Sequence, residues 1–401
     1  MAASRRFPKT NNRIGGTVTN RTILLATLAL SGFVTSFGAH VVATNLPIYA
    51  ETVGAGAFTI GLLIAVYDFA ELFAKPAAGI VADRRGMKPV LLLGLLVFIV
   101  GSLLFLIINP KLLLMVRFVQ GLGAAALSTV SITLVARHFD TGRGRAFGVY
   151  NAIKGGGYVI APAAGGFLAS RYGFAAIFIA SASIGLLALI ASLSLPSDPD
   201  ARLEDDDELS LRASLLIFRD PRLMPIYAVI VINMFLVGIL FGFLPVYLHG
   251  LGYSPNRAGT VVSVATAAYL LIQPVAGALA DRYAMRTTVL LGLLIAALSI
   301  MAITFASGWL LIVIVIAAGM GIGTVWTNSD ALVSASASPS QLGASIGAAQ
   351  SFKEFGDMVG PLLVGALTQF FGVRVGFVTC GAGAVVLLVL LARSPAFSAA
   401  R

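Results

Sequence analysis

Gly79-Ile80-Val81-Ala82-Asp83-Arg84-Arg85-Gly86-Met87-Lys88-Pro89 stands between two long apolar runs and returns in the second half as Gly277-Ala278-Leu279-Ala280-Asp281-Arg282-Tyr283-Ala284-Met285-Arg286. Asp83 and Asp281 are 198 positions apart (281 − 83) in a chain of 401 residues, so the sequence reads as two related halves. An Asp-Arg pair followed by further cations is a tight charged turn that hydrocarbon does not accommodate. It marks the place where an apolar helix reaches water.

Hydrophobic residues make up 58% of the chain and charged residues 11%, against roughly 25% charged in an ordinary soluble domain. Such a chain uses lipid as its solvent. The net charge of +10 is not a nucleic-acid footprint, because the basic residues cluster in short segments between apolar runs rather than on one face. Cys380 is the single cysteine, which excludes an internal disulfide, and it reads as a small buried apolar residue. Three histidines without a paired metal motif, and a Gly155-Gly156-Gly157 run without the strand a phosphate loop needs, leave no metal, cofactor or enzymatic chemistry to expect.

Apolar segments lie at about 22–47, 57–81, 89–108, 112–136, 146–170 and 174–195, then at about 223–247, 257–280, 286–306, 309–333, 342–370 and 375–393. Each is long enough to cross a bilayer as a helix, which satisfies its own backbone hydrogen bonds. The run from Thr22 to about Val42 reads as the first of these helices rather than a cleaved leader, with the basic arm of residues 1–21 before it. The connections carrying Arg84, Arg85, Lys88, then Arg137, Arg143, Arg145, then Arg282 and Arg286 alternate with connections nearly free of charge, so both termini are expected in the cytoplasm. Residues 22–195 and 223–393 form the expected six-helix halves, 196–222 the linker with its acidic run Glu204 to Glu208, and 394–401 a tail. That run reads as a solvated linker face.

The halves match at further places. Gly121 and Gly123 recur as Gly319 and Gly321 (offset 319 − 121 = 198), and Lys154, Gly157, Pro162 and Gly166 recur as Lys353, Gly356, Pro361 and Gly365 (offset 353 − 154 = 199). Two pseudo-symmetric bundles around a midplane cavity are the arrangement transporters use for alternating access. The pattern Gly79-x-x-x-Asp83-Arg84-x-Gly86-x-Lys88 resembles the loop signature between the second and third helices of the major facilitator superfamily, with a degenerate copy at Gly277, Asp281 and Arg282. The resemblance covers essentially the whole chain and implies an all-α membrane protein of twelve helices in two pseudo-symmetric six-helix bundles. Arg117-Phe118-Val119-Gln120-Gly121 is similar to the superfamily's Arg-x-x-Gln-Gly motif, whose arginine is associated with proton-linked members. Gly157 to Gly166 resembles the Gly-x-x-x-Gly-Pro-x-x-Gly-Gly signature of proton-coupled antiporters, with Ala161 in place of its second glycine. By the same resemblance Asp83 faces the amino end of the eleventh helix and latches the outward-facing state.

Membrane-embedded charges give the candidate mechanism, since each costs at least about 2.5–3.5 kcal/mol at the bilayer centre unless it finds a partner. Asp68, Glu71 and Lys75 fall on one face of the second helix, and Lys353, Glu354 and Asp357 on the eleventh, where Lys353 and Asp357 are at i, i+4. The resemblance places these two helices side by side at the seam between halves. With Arg117 and Lys154 the set holds four acids and four bases. A buried carboxylate that loses its partner favours its neutral form, the physical basis for proton coupling through Asp68, Glu71, Arg117, Glu354 and Asp357. His40, Tyr67, Lys75, Lys154, Tyr158, Tyr269 and Lys353 are candidates for the substrate cavity, with Phe352 and Phe355 as further aromatic candidates. Gly79, Asp83, Arg84, Gly86, Lys88, Gly157, Pro162, Gly166, Asp281, Arg282 and Pro361 are candidates for gating. The expected protein is a monomeric, multi-pass inner-membrane antiporter that exchanges protons for small organic compounds. A proton-coupled symporter or an exporter of an organic anion, and a non-transporting membrane receptor or lipid flippase, are the alternatives.

Overall fold

The structure, a computed structural model, describes residues 18–107, 109–139, 143–195, 220–338 and 342–393. The basic arm up to residue 17, most of the linker with its acidic run, and the tail lie outside the described residues. Among those described, every regular element is helical. The first half comprises α1 (Val18–Phe33 and Ala39–Thr52, joined by a π-turn at Val34–Gly38), α2 (Ala57–Arg85), α3 (Met87–Leu104), α4 (Leu113–His138), α5 (Arg143–Tyr172) and α6 (Ala175–Leu193). The second comprises α7 (Met224–Gly238 and Leu244–Gly250, joined by a π-turn at Ile239–Phe243), α8 (Pro255–Arg282), α9 (Met285–Ile303), α10 (Gly308–Ser336), α11 (Leu342–Phe371) and α12 (Val373–Arg393).

Ten of these are long and apolar enough to cross a membrane by length and composition; α5 and α11 are not among the ten. The reason lies in their sequences. α11 carries Lys353, Glu354 and Asp357, and α5 carries Lys154 among glycines and tyrosines, so both rely on the protein interior rather than lipid to accept their polar groups.

Turn chemistry repeats with the fold. Gly54 (φ 90°) and Gly252 (φ 85°) end α1 and α7, while Gly173 (φ 84°) and Gly372 (φ 85°) link α5 to α6 and α11 to α12. These positive-φ turns are glycine's natural territory. Gly86 (φ 94°) turns the chain from α2 to α3, and at its counterpart (86 + 198 = 284) Ala284 is held at φ 35°, the one positive-φ residue other than glycine among those described. The degenerate copy of the loop motif thus keeps the bend and strains to do so.

The twofold extends to atomic contacts. A Cβ added at Gly121 would meet the Tyr67 carbonyl, and one at Gly319 the Ala265 carbonyl (67 + 198 = 265). Gly123 lies against Gly94 and Phe98 of α3, as Gly321 lies against Gly292 and Ala296 of α9 (94 + 198 = 292). Small residues therefore set the close α2·α4, α3·α4, α8·α10 and α9·α10 packing inside each bundle. Between bundles the contacts exchange: α2 packs on α11 and α5 on α8.

These two seams are shut at one face only. Gly61 lies against the Pro361 carbonyl and its mate Gly259 against the Pro162 carbonyl, with Gly365 on Ala57 and Gly166 on Pro255. Two backbone amides, Asn256 and Phe58, donate across the same end to Ser170 Oγ (3.0 Å) and Gln369 Oε1 (3.5 Å). Toward the ends bearing Arg84, Arg137 and Arg282, the same helix faces part. Gly148 of α5 and Gly347 of α11, fourteen residues before Pro162 and Pro361, would meet nothing with an added Cβ. The protein is sealed at the charge-poor face and open at the basic one.

Candidate functional site

Between the bundles lies a cavity of about 180 Å³. All seven residues expected in the cavity line it: His40, Tyr67, Lys75, Lys154, Tyr158, Tyr269 and Lys353. Phe352 does not; it stacks on Tyr227 at 4.6 Å inside the second bundle, and Phe355 is exposed on the outside. Their positions on α11 fall off the face that bears Lys353, Glu354 and Asp357.

The α2·α11 seam is ionic. Lys75 Nζ lies 2.7 Å from Glu71 Oε2, one turn away on its own helix, and 2.5 Å from Glu354 Oε1 on the other bundle. One lysine thus closes two carboxylates across the moving boundary. Substituting it leaves Glu71 and Glu354 facing each other without a cation, and breaking a buried pair costs about 3–5 kcal/mol. Lys75→Met is therefore expected to lower the unfolding midpoint of the purified protein clearly, and Lys75→Arg, which keeps a cation between the two carboxylates, much less. Equal midpoints for wild type and Lys75→Met would contradict this.

Deeper toward the sealed face, Asp68 (7% exposed) and Asp357 line both the main cavity and a side pocket that holds Arg117 and His40. The two carboxylates are within Coulombic reach of each other, and Asp357 rests against Gly238 of α7. Among the described residues neither makes an ion pair or hydrogen bond. Lys353 does not serve Asp357 as its i, i+4 spacing suggested. It pairs instead with Asp330 of α10 at 2.7 Å and lies over the Trp326 ring at 4.7 Å. The geometric reason is that Lys353 points away from the seam, toward α10, where a carboxylate and an indole face both meet it. Asp330 thereby joins the site, which then holds five acids (Asp68, Glu71, Asp330, Glu354, Asp357) and four bases (Lys75, Arg117, Lys154, Lys353) rather than four of each.

Arg117 is 2% exposed, so it does not reach out to the membrane surface. Its Nη1 donates to Gln120 Oε1 (2.6 Å), its guanidinium covers the Tyr67 ring at 4.1 Å, and Gln120 Nε2 donates to Ser102 Oγ (3.0 Å). Ser102 in turn meets Ser181 at 3.2 Å. The second bundle puts Val315 and Ala318 at the positions of Arg117 and Gln120 (117 + 198 = 315; 120 + 198 = 318), so this polar network belongs to one half alone. His40 Nδ1 is 2.9 Å from the Ser36 carbonyl, and its ring meets Tyr158 edge-on at 4.4 Å.

The gating candidates divide. Gly157 lies on Ser36 and Phe37 of α1, Pro162 on Gly259, Gly166 on Pro255 and Pro361 on Gly61, all at close approaches that a side chain would block. Gly79 has only Thr129 within 4 Å of an added Cβ. Asp83 bonds Arg137 of α4 at 2.8 Å, inside its own bundle, in this conformation open at the basic face. Lys88 donates to the Leu193 and Leu195 carbonyls (2.8 and 2.6 Å), capping the carboxyl end of α6, as Arg286 donates to Ala392 at the end of α12 (2.6 Å). Arg84, Asp281 and Arg282 are exposed. In the second half the position corresponding to Arg137, the partner of Asp83, is Ala335 (137 + 198 = 335).

The family model described as Major Facilitator Superfamily matches residues 28–258 and 249–400 of this chain. The chain belongs to the Major Facilitator Superfamily. This superfamily member is a secondary active transporter, and its fold agrees with solved structures. Over 96% of this chain and 99% of the other, it superposes on a bacterial homolog to the human lysosomal transporter Spinster, inward-facing and unoccupied, with a TM-score of 0.82 at 17% identity. The nucleoside transporter NupG superposes with a TM-score of 0.77 over 92% of this chain and 98% of its own, at 15% identity. In sequence, the superfamily member is 26% identical over 365 residues to the multidrug resistance protein MdtG of Citrobacter koseri, covering 88% of this chain and 90% of that one. It is likewise 26% identical over 373 residues to MdtG of Salmonella typhi.

Proposed function

We propose that this transporter exports small organic compounds across the inner membrane in exchange for protons, as a monomer with both termini in the cytoplasm. The open basic face is then cytoplasmic, and the conformation is the one that loads cargo from inside. The observation that carries the reading is the carboxylate pair Asp68 and Asp357, facing the cavity at the bundle seam, with Arg117 in the same side pocket but no ion pair to either among the described residues. A buried carboxylate in that setting takes a proton readily and gives it up when the seam opens to the other side. The MdtG relatives, named for multidrug resistance, support export and a permissive cargo range.

The arrangement of charge also bears on the anionic alternative. Lys75 is closed between two carboxylates and Lys353 is held by Asp330, so most of the cavity's positive charge is already spoken for. Proteoliposomes with imposed pH gradients test direction. A gradient acid on the face that is sealed here should drive a lipophilic organic cation, such as ethidium, toward that acid side, and reversing the gradient should reverse the flux. Movement of substrate with the protons would establish symport instead.

A further inference from the structure

The twofold that relates the bundles also exposes where they differ. On the α2·α11 seam stand Asp68, Glu71 and Lys75 opposite Glu354 and Asp357. The mates on the α5·α8 seam are Thr266, Tyr269 and Gln273 (68, 71 and 75 + 198) opposite Gly155 and Tyr158 (354 and 357 − 199). One wall of the cavity is ionic and the other is aromatic and neutral. Lys154 is the single exception on the second wall.

Its own mate explains its condition. Lys353 is satisfied by Asp330 and Trp326, but the positions corresponding to these on α4 are Ile132 (330 − 198) and Ser128 (326 − 198). Lys154 therefore lines the cavity with no hydrogen bond or ion pair among the described residues. The ionisable groups within its Coulombic reach are Tyr158, Tyr150, His40, Lys75, Glu71 and Glu354. Of these, Glu71 and Glu354 are both in contact with Lys75, and the Tyr150 hydroxyl is engaged with Ser131 at 2.8 Å. Lys154 thus has carboxylates across the cavity but none in contact with it among the described residues.

We propose that Lys154 is the docking group for an acidic substituent of the substrate, and that the preferred cargo is an amphoteric aromatic compound. Its acid group meets Lys154, its ring lies between Tyr158 and Tyr269, and its amine points across the cavity to Asp68 and Asp357. This inference rests on the export reading above and narrows its substrate class. A cation alone leaves Lys154 unanswered; an anion alone is repelled by the unpaired carboxylates across the cavity.

Binding of norfloxacin, which carries an amine and a carboxylate on one ring system, is compared with that of its methyl ester and its N-acetyl derivative by competition on the purified wild-type protein. Norfloxacin should bind about tenfold more tightly than either. Lys154→Met should collapse the preference over the ester to near unity, and Lys154→Arg should keep it. Equal affinity for acid and ester in the wild-type protein overturns the proposal, as does a preference that survives Lys154→Met. The wild-type comparison needs no variant to fold and no gradient, so it fails or succeeds independently of the flux experiment that tests export.

Discussion

Asp68→Asn and Asp357→Asn should each abolish proton-driven accumulation of substrate while leaving downhill exchange measurable. Asparagine keeps the shape of the protonated carboxyl and cannot release a proton, so the cycle runs without the coupling step. In proteoliposomes the uphill gradient is expected to fall by about 100-fold or more, equivalent to about 2.7 kcal/mol of lost driving force. Because the two carboxylates share a pocket and lie within Coulombic reach, the double variant should be no worse than either single one. Additive losses would mean two independent sites. Wild-type accumulation in either variant would remove that carboxylate from the coupling step.

The same pair shows how far the sequence alone was readable. A long apolar chain interrupted by few charges has only a few places to keep them. Spacing put Asp68, Glu71 and Lys75 on one helix face and gathered Lys353, Glu354 and Asp357 on another helix, while the juxtaposition of those two helices at one seam came from the family resemblance. Internal repetition carried the fold further still, because an offset of 198 or 199 between glycines is a statement about which backbones touch, and Gly61 on Pro361 mirrors Gly259 on Pro162. Partner choice was not readable in this way. Lys353 has Asp357 one turn along its own helix, yet its ion pair is with Asp330 on α10, since the direction of a side chain depends on packing between helices distant in sequence. Lys88 was similarly opaque: its motif suggested gating, while in this conformation its ammonium caps α6 across 105 residues. The solitary state of Lys154 became visible only by asking what occupies Asp330's mate. That comparison requires knowing Lys353's partner first.

The sealed face provides the second large effect. Gly61 and Gly259 sit where the bundles approach most closely, each with a carbonyl of the opposite bundle in the space a Cβ would need. Leucine there is tolerated by the helix itself, which prefers it to glycine, and so the cost falls on closure rather than on folding. Forcing side chains into a well-packed contact costs about 1–3 kcal/mol each, and about 1.4 kcal/mol is a tenfold shift between two conformations. Gly61→Leu with Gly259→Leu should therefore move the equilibrium by about 100-fold toward the state open at this face, and slow turnover comparably because that state no longer returns. The sole native cysteine, Cys380, is buried, so a cysteine placed at Ser263, which is buried one turn in from Gly259 and accepts from the Ala163 amide across the α5·α8 seam, reports on the seal. A membrane-impermeant maleimide added from that face should label it rapidly in the double-leucine background and slowly without it. Unchanged labelling in a folded double variant would show that closure does not depend on these glycines.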